Sequence, residues 1–119
     1  MPKSFGRNER VAASVRREVS DIILNEIKDP RVKKATVTEV SVSPDLRNAR
    51  IYISFLTDSE DDIKSAMEGL QSAQGFVRSA LASRLKLRYM PNIHFIFDKL
   101  LSESMKLDAL IAKGLGMAD

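Results

Sequence analysis

From residue 8 to residue 29 the apolar positions Val11, Val15, Val19, Ile22, Ile23 and Ile27 recur at spacings of three and four. That period puts one apolar stripe along an amphipathic helix. Asn8 reads as its N-cap and Glu9 as a first-turn acid. Asp29-Pro30 should stop it, because a residue before proline is pushed out of the helical region. The period then changes to two. Thr36–Ser43 places Thr36, Thr38, Val40 and Val42 on one face, and Ala49–Leu56 does the same with Ile51, Ile53 and Phe55. Such β-branched alternation is strand chemistry, and the intervening Pro44-Asp45-Leu46-Arg47-Asn48 is turn chemistry. Together they predict an antiparallel hairpin.

The helical period returns after the acidic run Asp58-Ser59-Glu60-Asp61-Asp62, which suits a helix N-terminus, with Ile63, Met67 and Leu70 as the buried stripe. It breaks at Ala73-Gln74-Gly75. Phe76, Val77, Ala80, Leu81, Leu85 and Leu87 mark a further helix, closed by Met90-Pro91. Asn92–Asp98 alternates again, with Ile93, Phe95 and Phe97 on one side and His94 and Ile96 on the other. Ser104–Lys113 predicts a short final helix through Met105, Leu107, Leu110 and Ile111, frayed by Gly114 and Gly116. The order is α-β-β-α-α-β plus a terminal helix, an α+β fold with three strands in one sheet and helices over one face. No repeat, low-complexity stretch or long linker divides the chain, so a single domain over 1–119 is expected, with flexible ends at 1–7 and 114–119.

Charge sharpens this picture. The net charge is only +3, but it is segregated. Residues 1–34 carry nine basic and five acidic groups, residues 35–70 three and seven, and residues 71–88 four and none. Basic segments around an acidic one suggest a positive face that meets a polyanion. Arg78, Arg84, Lys86 and Arg88 are the leading RNA-binding candidates. Positions 84, 86 and 88 cannot share one helical face, so the helix ends near Leu85 or one of the three points elsewhere. Arg7, Arg10, Arg16 and Arg17 on the first helix and its approach, and Lys33 and Lys34 after it, form a second cationic group. Lys28 has a sufficient reason in the helix C-terminus. Ala73, Gln74 and Gly75 join the candidates because a glycine between helices lets a phosphate approach backbone N–H groups, with positive φ open to it.

Other chemistry is thin. The chain has no cysteine and one histidine, which rules out disulfides and thiolate metal sites. His94 reads as an ordinary strand residue, and the acidic run at 58–62 as capping rather than a magnesium site. Tyr52 and Tyr89 read as packing before base stacking. No phosphate loop, dinucleotide fingerprint or nucleophile motif occurs. There is no apolar run of membrane-spanning length and no secretory signal in MPKSFGRNER, so a cytoplasmic protein is expected.

The element order resembles the type II KH fold, which grips nucleotide backbone at a GxxG loop between consecutive helices. Here that position reads Ser72-Ala73-Gln74-Gly75, with the first glycine missing. Further segments narrow the resemblance: Arg10-Val11-Ala12 with Ile22-Ile23, Glu26-Ile27-Lys28-Asp29-Pro30-Arg31, Val37-Thr38-Glu39-Val40, Val42-Ser43-Pro44-Asp45-Leu46 with Ala49-Arg50-Ile51-Tyr52, Gly75-Phe76-Val77-Arg78-Ser79, Leu85 to Pro91, and Asp108-Ala109-Leu110-Ile111. Their combination, from about Arg10 to Ile111, resembles bacterial ribosome-binding factor A. The resemblance implies a KH-like domain in which an interhelical Ala-x-Gly kink replaces GxxG, here Ala73-Gln74-Gly75. It also implies a non-enzymatic assembly factor without cofactors, a monomer that binds immature small ribosomal subunits and their precursor rRNA. Such a factor assists late 16S rRNA maturation and supports growth in the cold. Functions of the long basic tail found in some members are not expected here. A general single-strand RNA binder is disfavoured by the missing glycine. A module for acidic protein partners would be separated by RNA competition, and an enzyme lacks a catalytic constellation.

Overall fold

The computed structural model describes residues 6–57 and 59–99; the expected final helix at 104–113 lies outside them. The elements are α1 (Arg7–Asn25), a 3₁₀ turn at Pro30–Val32, β1 (Thr36–Val42), β2 (Asn48–Ser54), α2 (Glu60–Ser72), α3 (Gln74–Leu85) and β3 (Asn92–Phe97). They form a three-stranded sheet of order β1-β2-β3. β1 and β2 pair antiparallel, as the hairpin requires. β3 runs parallel to β2, a pairing that needs a long crossover, and α2 and α3 supply it. The stripe of α1 (Val15, Val19, Ile22, Ile23) meets Ala49, Ile51 and Ile53 of β2, Leu70 of α2, Val77 and Leu81 of α3, and Ile93 and Phe95 of β3 in one core.

Several boundaries differ from the sequence reading, each for a local reason. Gly6, not Asn8, is the N-cap of α1, and the Glu9 carboxylate accepts from its N–H at 3.2 Å. Asn8 instead donates from Nδ2 to the Val42 carbonyl at 3.1 Å, tying the start of α1 to the end of β1. The helix ends at Asn25, four residues before Asp29. Glu26, the C-cap at φ −114°, still donates to the Ile22 carbonyl at 2.8 Å, but the Ile27 N–H reaches back to that same carbonyl at 3.2 Å, which breaks the ladder and lets Ile27 enter the core. Asp29 is extended, as a residue before proline should be, but it begins the next piece rather than ending the last. Its carboxylate accepts from the Arg31 N–H and caps the 3₁₀ turn.

In β1 the register slips between Val37 and Glu39. This bulge places Val37 against the core and leaves Thr36 exposed, so the expected run Thr36, Thr38, Val40, Val42 holds only for its second half. In β2 and the residue after it the expected Ile51, Ile53 and Phe55 are all buried, and the Phe55 ring meets Phe97 at 5.5 Å. α2 opens on Ser59, whose hydroxyl accepts from the Asp62 N–H at 3.2 Å.

The break between α2 and α3 falls where the sequence places it, but by another device. Ala73 forms the joint at φ −90°, ψ 0°, in the bridge region. Gly75 is an ordinary helical residue, and no described glycine has positive φ. The left-handed residue is Lys86 (φ 53°), the C-cap of α3. It ends the helix at Leu85, which resolves the conflict among positions 84, 86 and 88. Leu87 turns back to half-burial while Arg88 faces outward. Phe76, one of the apolar positions that mark α3 in the sequence, is 49% exposed at its start.

Candidate nucleic-acid interface

Four hydrogen bonds gather separate parts of the chain at one end of the sheet. Asn8 bonds the end of β1, as above. The Asn92 N–H donates to the Arg47 carbonyl at 2.9 Å, so the β1–β2 turn is tied to the start of β3. Arg78 on α3 donates from Nη2 to the Met90 carbonyl (2.9 Å) and from Nε to the Pro91 carbonyl (3.3 Å), which fixes the loop before β3 against α3. Between these ties lies an open cleft of about 640 Å³, lined among others by Arg7, Arg47, Arg78, Arg88 and Tyr89. The turn is itself rigid. The Ser43 hydroxyl donates to Asp45 Oδ1 at 2.6 Å, the Arg47 N–H donates to the same oxygen at 3.0 Å, and Leu46 takes a left-handed conformation at φ 63°. The hydroxyl, and then the Arg47 amide, hold the Asp45 carboxyl below its ordinary value, so it stays charged and occupied within the turn.

The candidate cations meet different fates. Arg78 is bonded only to carbonyls in the contacts above, which position a guanidinium without cancelling its charge. Arg88 is exposed, its guanidinium 5.4 Å from the centre of the Tyr89 ring. Lys86 is exposed at the helix cap. Arg10 lines a shallow groove with Arg7, Leu85 and Leu87 beside the main cleft. Arg16 and Arg17 are exposed further along α1, Arg17 in a 3.4 Å contact with its neighbour Glu18. Lys33 and Lys34 are exposed at the start of β1, a strand's length (roughly 20 Å) from the cleft, and Lys34 lies 3.8 Å from Asp62. The structure does not bring these two to the other cations.

Arg84 is held by α1. Its Nη1 donates to Asp21 Oδ2 at 2.7 Å and Glu18 Oε1 at 3.0 Å, and its Nη2 donates to Glu26. The side chain is only 27% exposed, and three carboxylates outweigh its charge. The bonds to Asp21 and Glu18 raise the Arg84 pKa, and the same guanidinium lowers that of Asp21. A depressed carboxylate pKa contributes stability above the ordinary value, near 4, and that contribution is lost as pH falls through the depressed one. Arg84→Met should therefore lower the melting temperature at neutral pH, with a gap from wild type that narrows below about pH 4. A gap that does not change with pH would break this assignment.

At the kink, Ala73 packs against the core, and Gln74 donates from Nε2 to the Ile93 carbonyl, linking the joint to β3. Gly75 is exposed, and a Cβ built there meets nothing within 4 Å. The first intrahelical bond of α3 is Val77 N–H to Ala73 carbonyl at 2.9 Å, so the N–H groups of residues 74–76 precede the ladder. Arg47 is not among the sequence candidates, because its segment reads as turn chemistry. Its place in a short loop between strands is the signal that could have found it. Among the described residues no helix is long and apolar enough to cross a membrane, and no group of acidic or histidine side chains could hold a metal.

A mixed three-stranded sheet, crossed by two helices that meet at a kink and backed by a long first helix, defines a type II KH-like domain. Residues 7–111 match the family model for ribosome-binding factor A, and the chain belongs to that family. It is 44% identical over 106 residues to ribosome-binding factor A of Acetivibrio thermocellus, covering 88% of this chain and 85% of that protein. With the Shewanella loihica protein of the same name it shares 37% over 113 residues, 95% of this chain and 81% of the other. The crystal structure of ribosome-binding factor A from Thermus thermophilus superimposes with a TM-score of 0.65 at 26% identity, over 77% of this chain and 96% of that one. A homology model of the Thermus thermophilus factor, fitted into an electron cryo-microscopy map of its complex with the 30S subunit, gives 0.59 at 27% identity, over 71% and 87%.

Proposed function

We propose that this protein binds immature 30S ribosomal subunits in the cytoplasm, as a monomer and without catalysing a reaction. There it assists late maturation of 16S rRNA, including at low temperature. Family membership and the relative fitted into a 30S complex support the partner. The observation that carries an RNA-facing surface is the gathering of Arg7, Arg47, Arg78 and Arg88 around one cleft, with Lys86 and Arg10 beside it. Phosphate contacts position and bind without reading sequence, which suits docking on folded rRNA. The kink at Ala73-Gln74-Gly75 belongs to the proposed surface because Gly75 has open space above it and no role in packing. Arg16 and Arg17, exposed further along α1 and outside the cleft lining, and Lys33 and Lys34 would need separate contacts. Arg84 drops out, because its charge is spent on α1.

The test is co-sedimentation with immature and mature small subunits across a salt series. Immature particles should bind more tightly, and log K should fall linearly with log salt. Lys86→Gln with Arg88→Gln should reduce the slope by about 0.7–0.9 for each phosphate that the variant no longer neutralises. Arg84→Met should leave the affinity of the folded protein unchanged. Cells lacking the protein should accumulate unprocessed 16S rRNA, more so in the cold. Equal binding to both particles, or an unchanged slope in the double variant, would overturn this reading.

A further inference from the structure

The cleft has a shape and chemistry narrower than a phosphate-binding face requires. It is a concavity of about 640 Å³, the scale of pockets that hold a single small ligand. A paired A-form helix, far wider than such a cleft, can only lie across its mouth. One unstacked nucleotide can enter. Four arginines and one carboxylate, Asp45, line the cleft. Asp45 Oδ1 is engaged by the Ser43 hydroxyl and the Arg47 N–H, and its Oδ2 lies 3.9 Å from Arg47 Nε in a pair exposed to water, where such pairing is weak and a phosphate can compete for the guanidinium. Planar guanidiniums match phosphate oxygens in pairs. The wall beside them holds Tyr89, 72% exposed, an aromatic left in water with the Arg88 guanidinium carbon over its ring at 5.4 Å from the centre. Unpaired RNA bases are taken up on such aromatic and guanidinium planes. The loop that carries Arg88 and Tyr89 is anchored on both sides, by the left-handed cap at Lys86 and by buried Pro91, whose carbonyl accepts from Arg78. The backbone that carries the stacking residues is therefore positioned before any ligand arrives, which lowers the ordering cost of binding.

We propose that this cleft receives one unpaired nucleotide of RNA, its phosphate held by Arg7, Arg47 and Arg78 and its base stacked on the Tyr89–Arg88 pair. This deepens the RNA-binding reading above and depends on it for the source of the nucleotide. The cleft would let the protein recognise rRNA in which a nucleotide is still free of its final pairing.

The test titrates the full chain, followed by amide NMR shifts and fluorescence anisotropy. The probes are a short single-stranded RNA, the same sequence as a duplex, and a nucleoside monophosphate. The single strand should shift the amides of Arg47, Arg88, Tyr89 and Asn92, and the duplex should compete weakly. Tyr89→Ala should weaken the single strand by about fivefold or more, Tyr89→Phe should restore it, and Arg47→Gln should weaken it comparably. Both side chains are largely exposed (Arg47 is 83% accessible), so the melting temperature should hold. Equal affinity for duplex and single strand, shifts confined to another surface, or an unaffected Tyr89→Ala would overturn the proposal. So would binding of the free monophosphate as tight as that of the strand, which would make this a free-nucleotide site. If oligonucleotide binding fails while wild type still co-sediments with small subunits, only the cleft is refuted. If the strand binds the cleft while co-sedimentation fails, only the ribosomal reading is.

Discussion

Valine at position 69 should lower the melting temperature by about 5–15 °C, whereas alanine at position 75 should raise it slightly. Gly69 is buried where α2 crosses the 3₁₀ turn, and a Cβ there would lie 3.1 Å from both Asp29 Oδ2 and Val32 Cγ1, and 3.4 Å from Arg31 Cβ. Both near neighbours would have to give by a few tenths of an ångström, and both are held. Val32 is fully buried in the core. Asp29 is clamped by Arg31, whose Nε and Nη2 donate to it at 2.9 and 2.6 Å, and these bonds hold its carboxyl below the ordinary range. Overpacking of this kind costs about 1–3 kcal/mol. Gly75 has no such neighbour and no positive φ, so Gly75→Ala removes only the entropic penalty of glycine in a helix, up to about 1 kcal/mol. Thermal melts of the two variants decide the matter. Shifts of the same sign would show that the packing around one of these glycines has been misread.

Glutamate at position 75 should leave the fold intact and weaken small-subunit binding by about tenfold or more. Residue 75 lies in the first turn of α3, where a negative charge is favoured by the helix dipole, so the melting temperature should not fall. The same charge would oppose a phosphate brought to the kink. Ala73→Glu is a poorer probe, because Ala73 packs against the core and a loss of binding could follow from a loss of folding. Gly75→Lys has similar length and the opposite charge. Binding by the lysine variant alone would assign the effect to charge, and failure of both to bulk. Normal co-sedimentation of Gly75→Glu would remove the kink from the interface.

What the sequence determined by itself was local. The stripe of α1, the alternation of β2 and β3, the hairpin and the break near Ala73 are legible because side-chain direction follows the backbone of a few neighbouring residues. The cationic run from Arg78 to Arg88 is equally visible as charge. Which of those charges remain available was decided only by tertiary structure. Arg84 is spent on Glu18 and Asp21, 66 and 63 positions away, and no spacing rule relates residues so far apart. Arg47 joins Arg78 and Arg88 because Asn92 bonds the turn that carries it. The bulge in β1 is likewise invisible in Thr36-Val37-Thr38-Glu39, since either threonine or Val37 could face the core until pairing with β2 chose. The two glycines complete the contrast. Gly75 stands out at the helix break, yet its freedom is unused, while Gly69, inconspicuous in sequence, supports a close helix crossing. The physical reason is that periodicity reports which face of an element is apolar, whereas packing and charge pairing depend on what the folded chain sets against that face.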